Sequence, residues 1–157
     1  MTLMDVLDVM QRYLAEQLRD YIVYDKDMRG YSVNVYAGAL PRKTSDTSGN
    51  TYYPAVIPLI LGGNDEYTGS SLNMRIVIII HDDSVGDGCR EFYNLVERVR
   101  QILLQSTIMD GQVTVNMPLK WSNNIDTNWP LWQGWVDFSV DIAQDRAPLE
   151  KWYKKRR

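Results

Sequence analysis

The sequence predicts an α+β domain, in which two helices pack on a mostly antiparallel sheet of about five strands. Three patterns indicate this class: two segments with apolar residues at helical spacing, one long aliphatic run, and a final segment that alternates strictly between apolar and polar residues. The expected order of elements is α-β-β-β-α-β-β. The length of 157 residues suits a single domain. We expect this domain over residues 1–147, followed by a basic C-terminal tail at residues 148–157.

The first helix is expected over residues 2–23. Thr2 is a candidate N-cap, and Asp5, three residues later, completes an approximate capping box. Apolar residues then recur every three or four positions, which places them on one face of a helix. These residues are Leu3, Leu7, Met10, Leu14, Leu18 and Tyr21.

Two strands separated by a polar loop follow the helix. Alternating residues predict a strand at residues 32–39, after a polar turn. Residues 42–50 contain no apolar side chain and can add nothing to a core, so we interpret them as a mobile loop. The second strand is expected at residues 52–61, where Pro54 and Pro58 lack the N–H donor and favour an edge position or an irregular course.

The middle of the chain predicts a turn, a central strand and the second helix. The turn is expected at residues 62–66. The β-branched residues on both faces of residues 73–80 then indicate a strand that is covered on both sides. After a polar turn with Ser84 or Asp87 as the candidate N-cap, the second helix extends to about Ser106. Its apolar stripe consists of Phe92, Leu95, Val96, Val99, Ile102 and Leu103.

The last two strands are expected at residues 112–117 and 132–143. The second of them has the clearest period of two in the chain. One face is expected to carry Trp132, Gly134, Val136, Phe138, Val140 and Ile142. The opposite face is expected to carry Gln133, Trp135, Asp137, Ser139, Asp141 and Ala143.

Composition and charge exclude several classes of protein. No apolar run approaches the ~20 residues of a membrane-spanning helix, and the first residues lack the basic start of a secretory signal, so we expect neither feature. A single cysteine, Cys89, cannot form an internal disulfide and fits a reducing compartment. Residues 1–150 carry 12 basic and 20 acidic residues, a net charge of −8, which disfavours a general nucleic-acid clamp.

No segment carries a complete catalytic or metal-binding set. His81, Asp82 and Asp83 offer ligand types for a metal, but the chain has no second histidine, and we favour a polar turn that leads into a helix cap. Cys89 lies in the first turn of a helix without a recognisable catalytic partner. We therefore expect no enzymatic activity, no cofactor and no bound metal.

Four tryptophans lie close together in the last third of the sequence: Trp121, Trp129, Trp132 and Trp135. With the neighbouring amide residues they could form a platform that stacks on sugars, or a hot spot for binding a protein. Packing in or beside the core is the plainer interpretation for Trp132 and Trp129. Trp135 lies on the polar face of its strand, so it is either covered by a helix or buried between subunits, and we favour the subunit interface.

The second half of the chain has a distinctive order of elements. The β-branched strand and the Asp-rich turn precede a helix that contains Phe92, Leu95, Arg100 and Leu103. A strand that ends in Pro118-Leu119-Lys120-Trp121 comes next, and Trp129-Pro130-Leu131-Trp132-x-Gly134 opens the final strand. This order resembles the small neck proteins of long-tailed bacteriophages, specifically the tail terminator (tail completion) family. The first helix and the polar loop also suit that family.

The resemblance implies a non-enzymatic structural protein of the virion, located in the tail or neck and assembled in the host cytoplasm. Members of the family share a sheet-and-two-helix fold and assemble as a homo-oligomer, a hexameric ring. The ring caps the tail tube protein, stops tube growth and meets the head–tail connector protein. Genomic DNA passes through its lumen without specific binding, and no membrane is involved. Two alternatives stay open: another head–tail neck or tail-tube component, and a small carbohydrate-binding or hydrolytic module.

We expect contacts with partners at three places. The polar loop, which could reach ~30 Å when extended, suits a docking arm, and Trp135 suits a subunit contact. The basic tail does not match the family, and its role is open. The candidate contact residues are Arg42, Lys43, Asp46 and Asn50 in the loop, Trp135 on the last strand, and Lys154 and Arg156 in the tail.

Overall fold

The computed structural model of the chain describes residues 1–41, 52–105, 108–124 and 129–144. Within these ranges the chain forms two helices and eight strands, and the expected α+β class is confirmed. The helices are α1 (Leu3–Gln17) and α2 (Val85–Gln105). The strands are β1 (Ile22–Tyr24), β2 (Gly30–Ser32), β3 (Asn34–Val35), β4 (Ala55–Glu66), β5 (Gly69–His81), β6 (Ile108–Met109), β7 (Val113–Asn123) and β8 (Leu131–Ile142).

Six strands form the main sheet, in the order β3-β4-β5-β8-β7-β6, and β1 and β2 form a separate hairpin. All neighbouring strands are antiparallel except β3 and β4. The number of strands therefore exceeds the five expected, and the expected order α-β-β-β-α-β-β omits three short strands. The boundary expected between residues 147 and 148 lies outside the described residues. None of the described helices is long and apolar enough to cross a lipid bilayer.

The main core lies between the two helices and one face of the sheet. The centre of this core is formed by Ile76 and Ile78 of β5, Phe138 of β8, and Phe92 and Leu95 of α2, all at most 5% exposed. The opposite face of the sheet carries a second, smaller apolar cluster of Ala55 and Ile57 from β4 with Val77 and Ile79 from β5, against which Tyr36, Leu40 and Tyr53 pack. The expectation of a central strand covered on both sides is confirmed for residues 76–80, whereas Asn73 is exposed and Arg75 partly exposed on the face away from the helices.

The expected N-terminus of α1 is confirmed. The Thr2 hydroxyl accepts a hydrogen bond from the Asp5 backbone N–H at 3.1 Å, and the Asp5 carboxylate accepts one from the Thr2 N–H at 2.8 Å. The helix ends at Gln17, however, and not at residue 23. After Leu18 the backbone leaves the helical conformation, and residues 22–24 satisfy their backbone groups by pairing with β2.

The strand expected at residues 32–39 is shorter and is divided. Residues 30–32 belong to β2, and only Asn34 and Val35 form β3. The next residues still follow β4, since the Tyr36 N–H donates to the Val56 carbonyl and the Gly38 N–H to the Pro58 carbonyl, both at 3.0 Å. This segment covers the start of β4, so the edge position expected for that strand is wrong there.

The turn expected at residues 62–66 is wrong, because these residues extend β4 as far as Glu66. They pair with residues 69–73 of β5, after an irregularity in register between Ile60 and Gly62. Glycine, asparagine and aspartate are poor strand residues, but the ladder with β5 satisfies their backbone groups and outweighs that preference. The result is a long β4–β5 hairpin whose residues 61–68 are all exposed.

The C-terminal strands confirm the alternation and correct one length. β8 buries Val136, Phe138 and Val140 in the main core, as the period of two predicts. β7 is longer than the expected residues 112–117, because residues 120–123 resume pairing with β8 after an irregular stretch that contains Pro118. A two-residue strand such as β6 is too short to give a periodic signal.

Candidate interaction surface on the sheet

Trp135 lies near the middle of β8, on the sheet face opposite the helices. It pairs with Val77 of β5 on one side and with Ser122 of β7 on the other. The helices pack against the alternate residues of β8, which include Val136 and Phe138. Helix cover, one of the two explanations expected for Trp135, is therefore wrong for the helices that the structure describes.

An arginine fixes the position of this tryptophan. The guanidinium carbon of Arg75 lies 4.5 Å from the centre of the Trp135 ring, within the range of a cation–π contact. The same guanidinium donates two hydrogen bonds to the Asp137 carboxylate, at 2.7 and 3.0 Å. The hydrogen bonds to Asp137 raise the pKa of Arg75 above its ordinary value, so its cationic form is favoured. We call this group of side chains, Trp135, Arg75 and Asp137, the Trp135 patch.

The Trp135 patch is suited to protein contact and not to chemistry. The side chains of Arg75 and Asp137 are 30% and 32% exposed, and each is held by its partner before any binding occurs. Exposed Lys120 and Ser122 of β7 pair with Asp137 and Trp135, and so continue the patch toward the edge of the sheet. Tryptophan and arginine are enriched in the energetic centres of protein interfaces, whereas the patch offers no nucleophile or general base beside a cavity.

The other tryptophans do not join Trp135 in one platform. Trp132 packs against the main core, on the opposite face of β8, and its indole Nε1 donates to the Asp82 carbonyl at 3.0 Å. Trp121 pairs with Val136, so its side chain lies on the face of the sheet opposite Trp135. It is 56% exposed. Because Trp135 lies on one face of the sheet and Trp121 and Trp132 on the other, these three tryptophans form no single stacking surface for a sugar.

The motif at the start of β8 locks this strand to the turn before α2. The Pro130 carbonyl accepts a hydrogen bond from the Asp82 N–H at 2.9 Å. The Gly134 backbone lies so close to Phe92 that an added Cβ would be 2.7 Å from the Phe92 ring. Pro130, Trp132 and Gly134 therefore have packing roles in this chain.

In the turn after β5, the residues considered as metal ligands have partners within the chain. Asp82 is buried, and its carboxylate accepts a hydrogen bond from the Ser84 N–H at 2.8 Å. Ser84 in turn accepts one from the Asp87 N–H at 3.3 Å, which confirms it as the N-terminal cap of α2. Asp83 forms an ion pair with Lys26 at 3.2 Å. No group of three candidate metal ligands occurs among the residues that the structure describes.

A small hollow of about 220 Å³ lies beside this turn, under the β1–β2 hairpin. Tyr53 and His81 stack there, with ring centres 6.5 Å apart. Burial raises the pKa of the Tyr53 hydroxyl, so this group stays protonated at neutral pH. The Lys26–Asp83 pair occupies the rim, and the charged groups of the hollow thus have partners within the chain.

Of the seven candidate contact residues, Trp135 is the one that lies within the described residues. Arg42, Lys43, Asp46 and Asn50 of the loop, and Lys154 and Arg156 of the tail, lie outside the described residues. Arg75 and Asp137 were not among the candidate residues predicted from the sequence. A signal existed: Arg75 is the one charge inside the aliphatic run of β5, and an acid stands on the polar face of β8.

Comparison with known proteins adds no relative. The sequence matches no protein-family model, and no curated protein shows significant similarity to it.

Proposed function

We propose that this chain is a structural protein of a long-tailed bacteriophage, a tail terminator whose copies form a ring on the end of the tail tube. The ring stops growth of the tube and meets the head–tail connector protein, and genomic DNA passes through its lumen. The residue pattern from β5 to the opening of β8 suggests this family, and the α+β fold with two helices on one face of the sheet is compatible with it.

The observation that carries the proposal is the Trp135 patch. The Trp135 indole ring is partly buried beneath Arg75, on a sheet face against which neither described helix packs. Burial of its remaining apolar surface against a second copy would contribute about 25 cal/mol per Å². The Arg75 guanidinium is already fixed by Asp137, so little side-chain entropy is lost when a partner binds. Such a patch fits one side of a subunit contact in a ring, in which two different surfaces meet.

A non-enzymatic role is part of the proposal. The polar residues considered as metal ligands have structural roles. Asp82 stabilises the turn before α2, Asp83 pairs with Lys26, and His81 stacks on Tyr53. A binding or assembly protein needs none of them as a reactive group.

The first experiment is the mass of the purified chain in solution, with and without the patch. We expect the parent chain to form a ring and Trp135→Glu to remain monomeric, because a carboxylate in the contact would lose its hydration. Trp121→Glu is the matched control, since Trp121 is exposed on the other face of the sheet, and we expect it to assemble normally. If Trp135→Glu assembled as well as the control, the Trp135 patch would not be a subunit contact.

The second experiment separates a terminator from another neck or tail-tube component. Particles assembled without this chain are imaged by electron microscopy. A terminator predicts tubes of excessive length that fail to join heads. Tubes of normal length that fail to join would instead indicate a different neck component, and the absence of tubes would indicate a tube subunit.

The polar loop has its own test. Deletion of residues 43–49 should change the closure entropy by about 1 kcal/mol or less, and should therefore leave the thermal midpoint nearly unchanged. We expect the deletion to reduce the number of joined particles, as a docking arm requires. Normal joining would leave the loop a simple connection between strands, and a clearly lowered midpoint would show that it packs on the domain.

A further inference from the structure

A groove of about 760 Å³ opens between the start of α1, the projecting β4–β5 hairpin and the end of β8. Its deeper part is apolar: Ile60 and Ile142 are partly buried there and pack against the main core, and Leu72 is 5% exposed. Leu3 of α1 lines the outer part and is 55% exposed. We call this space the hairpin groove.

The hairpin groove is acidic at its outer end. Asp65 and Glu66 line it at the tip of β4. Met1, with its amino group, also lines the groove, but no lysine or arginine does so in the part of the chain that the structure describes. The hairpin holds these acids in place, since Asp65 accepts a hydrogen bond from the Ser70 hydroxyl at 2.6 Å and Glu66 accepts one from the Asn64 amide at 3.0 Å. An occupant should thus combine apolar side chains with positive charge.

The last described residue stands at the rim of this groove. The Gln144 side-chain amide donates to the Glu66 carbonyl and, at 2.9 Å, to the Gly69 carbonyl, which attaches the end of β8 to the hairpin tip. Residues 145–157 follow directly and contain the apolar and aromatic side chains of Leu149, Trp152 and Tyr153. The basic residues among 149–157 are Lys151, Lys154, Lys155, Arg156 and Arg157, and Glu150 is the single acid beside them.

We propose that residues 149–157 of the chain dock in the hairpin groove of the same molecule. The aromatic side chains would cover the apolar part, and the basic residues would lie beside Asp65 and Glu66. The reach is sufficient, because Trp152 comes eight positions after Gln144 in the sequence and an extended chain spans ~3.3 Å per residue. Covalent attachment at the rim gives the segment an effective concentration on the order of millimolar, which favours its own groove over that of a neighbour. The docking does not depend on the proposed ring.

Hydrogen exchange of the full-length chain, followed by mass spectrometry at low micromolar concentration, tests the docking. We expect residues 149–157 to exchange about tenfold more slowly in the parent chain than in the variant Asp65→Lys/Glu66→Lys, because charge reversal in the groove repels the basic segment. Adding Lys154→Glu and Arg156→Glu to that variant should restore slow exchange. Restored slow exchange would show that the charge reversal acts through docking. If it had damaged the hairpin instead, Lys154→Glu and Arg156→Glu could not repair that damage.

The matched control is Asp20→Lys/Asp27→Lys, which alters the net charge equally at two exposed positions away from the groove. This control should exchange like the parent chain. Equal exchange in all variants, or slow exchange that the charge swap fails to restore, would overturn the proposal. Protection that appears only at concentrations where copies associate would also overturn it, since the segment would then bind a neighbouring molecule or lie within a subunit contact.

Discussion

The guanidinium group of Arg75 lies 4.5 Å from the centre of the Trp135 ring, so that a charged side chain of β5 covers an aromatic side chain of β8. Asp137, two residues beyond Trp135, accepts two hydrogen bonds from the same guanidinium. Three side chains on two central strands therefore form one fixed unit on the sheet face opposite the helices. The Arg75 side chain is 30% exposed and already held by Asp137, so the unit can meet a partner without rearrangement.

The Arg75–Asp137 pair should contribute modestly to the stability of the fold. Both side chains are close to one-third exposed, so solvent screens their attraction, and Asp137→Ala should lower the free energy of unfolding by about 1 kcal/mol. Urea denaturation measures the change. Glu97→Ala, which removes the exposed pair with Arg100 on α2, should have no measurable effect. A loss of about 3 kcal/mol or more for Asp137→Ala would mean that the pair behaves as a buried one.

The alternation of β8 predicts a large loss of stability at Phe138 and a small one at the neighbouring Ser139. Phe138 is 5% exposed in the main core, so Phe138→Asp places an unpaired charge there and should cost about 4 kcal/mol. Ser139 lies on the other face and is partly exposed, so Ser139→Asp should cost well under 1 kcal/mol in the monomer. Thermal unfolding of the two variants provides the comparison. Similar losses would show that the Ser139 face is also covered.

The Gly134 position should reject any side chain. A Cβ atom there would lie 2.6 Å from the Ser122 carbonyl oxygen and 2.7 Å from the Phe92 ring, and neither the β7 backbone nor the packed ring can easily move. Gly134→Ala should therefore cost about 2 kcal/mol in chemical denaturation. Gly62→Ala is the control, because nothing lies within 4 Å of a Cβ at that position. Equal stability of the two variants would refute the close contact between β8, β7 and α2.

The β1–β2 hairpin should respond to acid through Asp25. The hydrogen bond from the Arg29 N–H is the largest cause that lowers the pKa of Asp25 below its ordinary 3.8, and the Tyr31 hydroxyl and the Asp27 N–H add to it. A lowered pKa in the folded state means that the contribution of Asp25 is complete above pH 3.8 and is lost as the pH falls through the lower folded value.

The amide NMR signal of Arg29, whose N–H donates to the Asp25 carboxylate, provides the measurement for Asp25. It should be constant from about pH 7 to 5 and should shift only below about pH 4. In Asp25→Asn, which keeps an acceptor oxygen but cannot ionise, this transition should disappear. A transition centred above the ordinary value of 3.8 would contradict the account.

The sequence predicted the elements whose signals are local and periodic. The Thr2–Asp5 capping box, the cap at Ser84 and the alternation through Phe138 each follow from side chains within a few residues of one another. Their physical causes lie within one element, so the sequence contains them. The buried face of α1 is wider than the predicted stripe, since Val6 and Val9 are also buried, whereas Leu3 of that stripe is 55% exposed.

The errors concern features that depend on distant parts of the chain. Residues 62–66 have turn composition, but pairing with residues 69–73 holds them in a strand. Tyr21 fits the helical spacing, yet α1 has already ended, and its ring packs against the core from the connection to β1. The Trp135 patch depends on register, because only the pairing of β5 with β8 brings Arg75 opposite Asp137 and beside Trp135.

Sedimentation of the purified parent chain and of Trp135→Glu, over a range of concentrations, is the decisive test of assembly through Trp135. We expect the parent chain to sediment as a closed ring of about six copies of its 18.2 kDa mass. We expect Trp135→Glu to sediment as a folded monomer with the same circular dichroism spectrum. A parent chain that remains monomeric at every concentration, or a ring that the Trp135→Glu change leaves intact, would contradict such assembly.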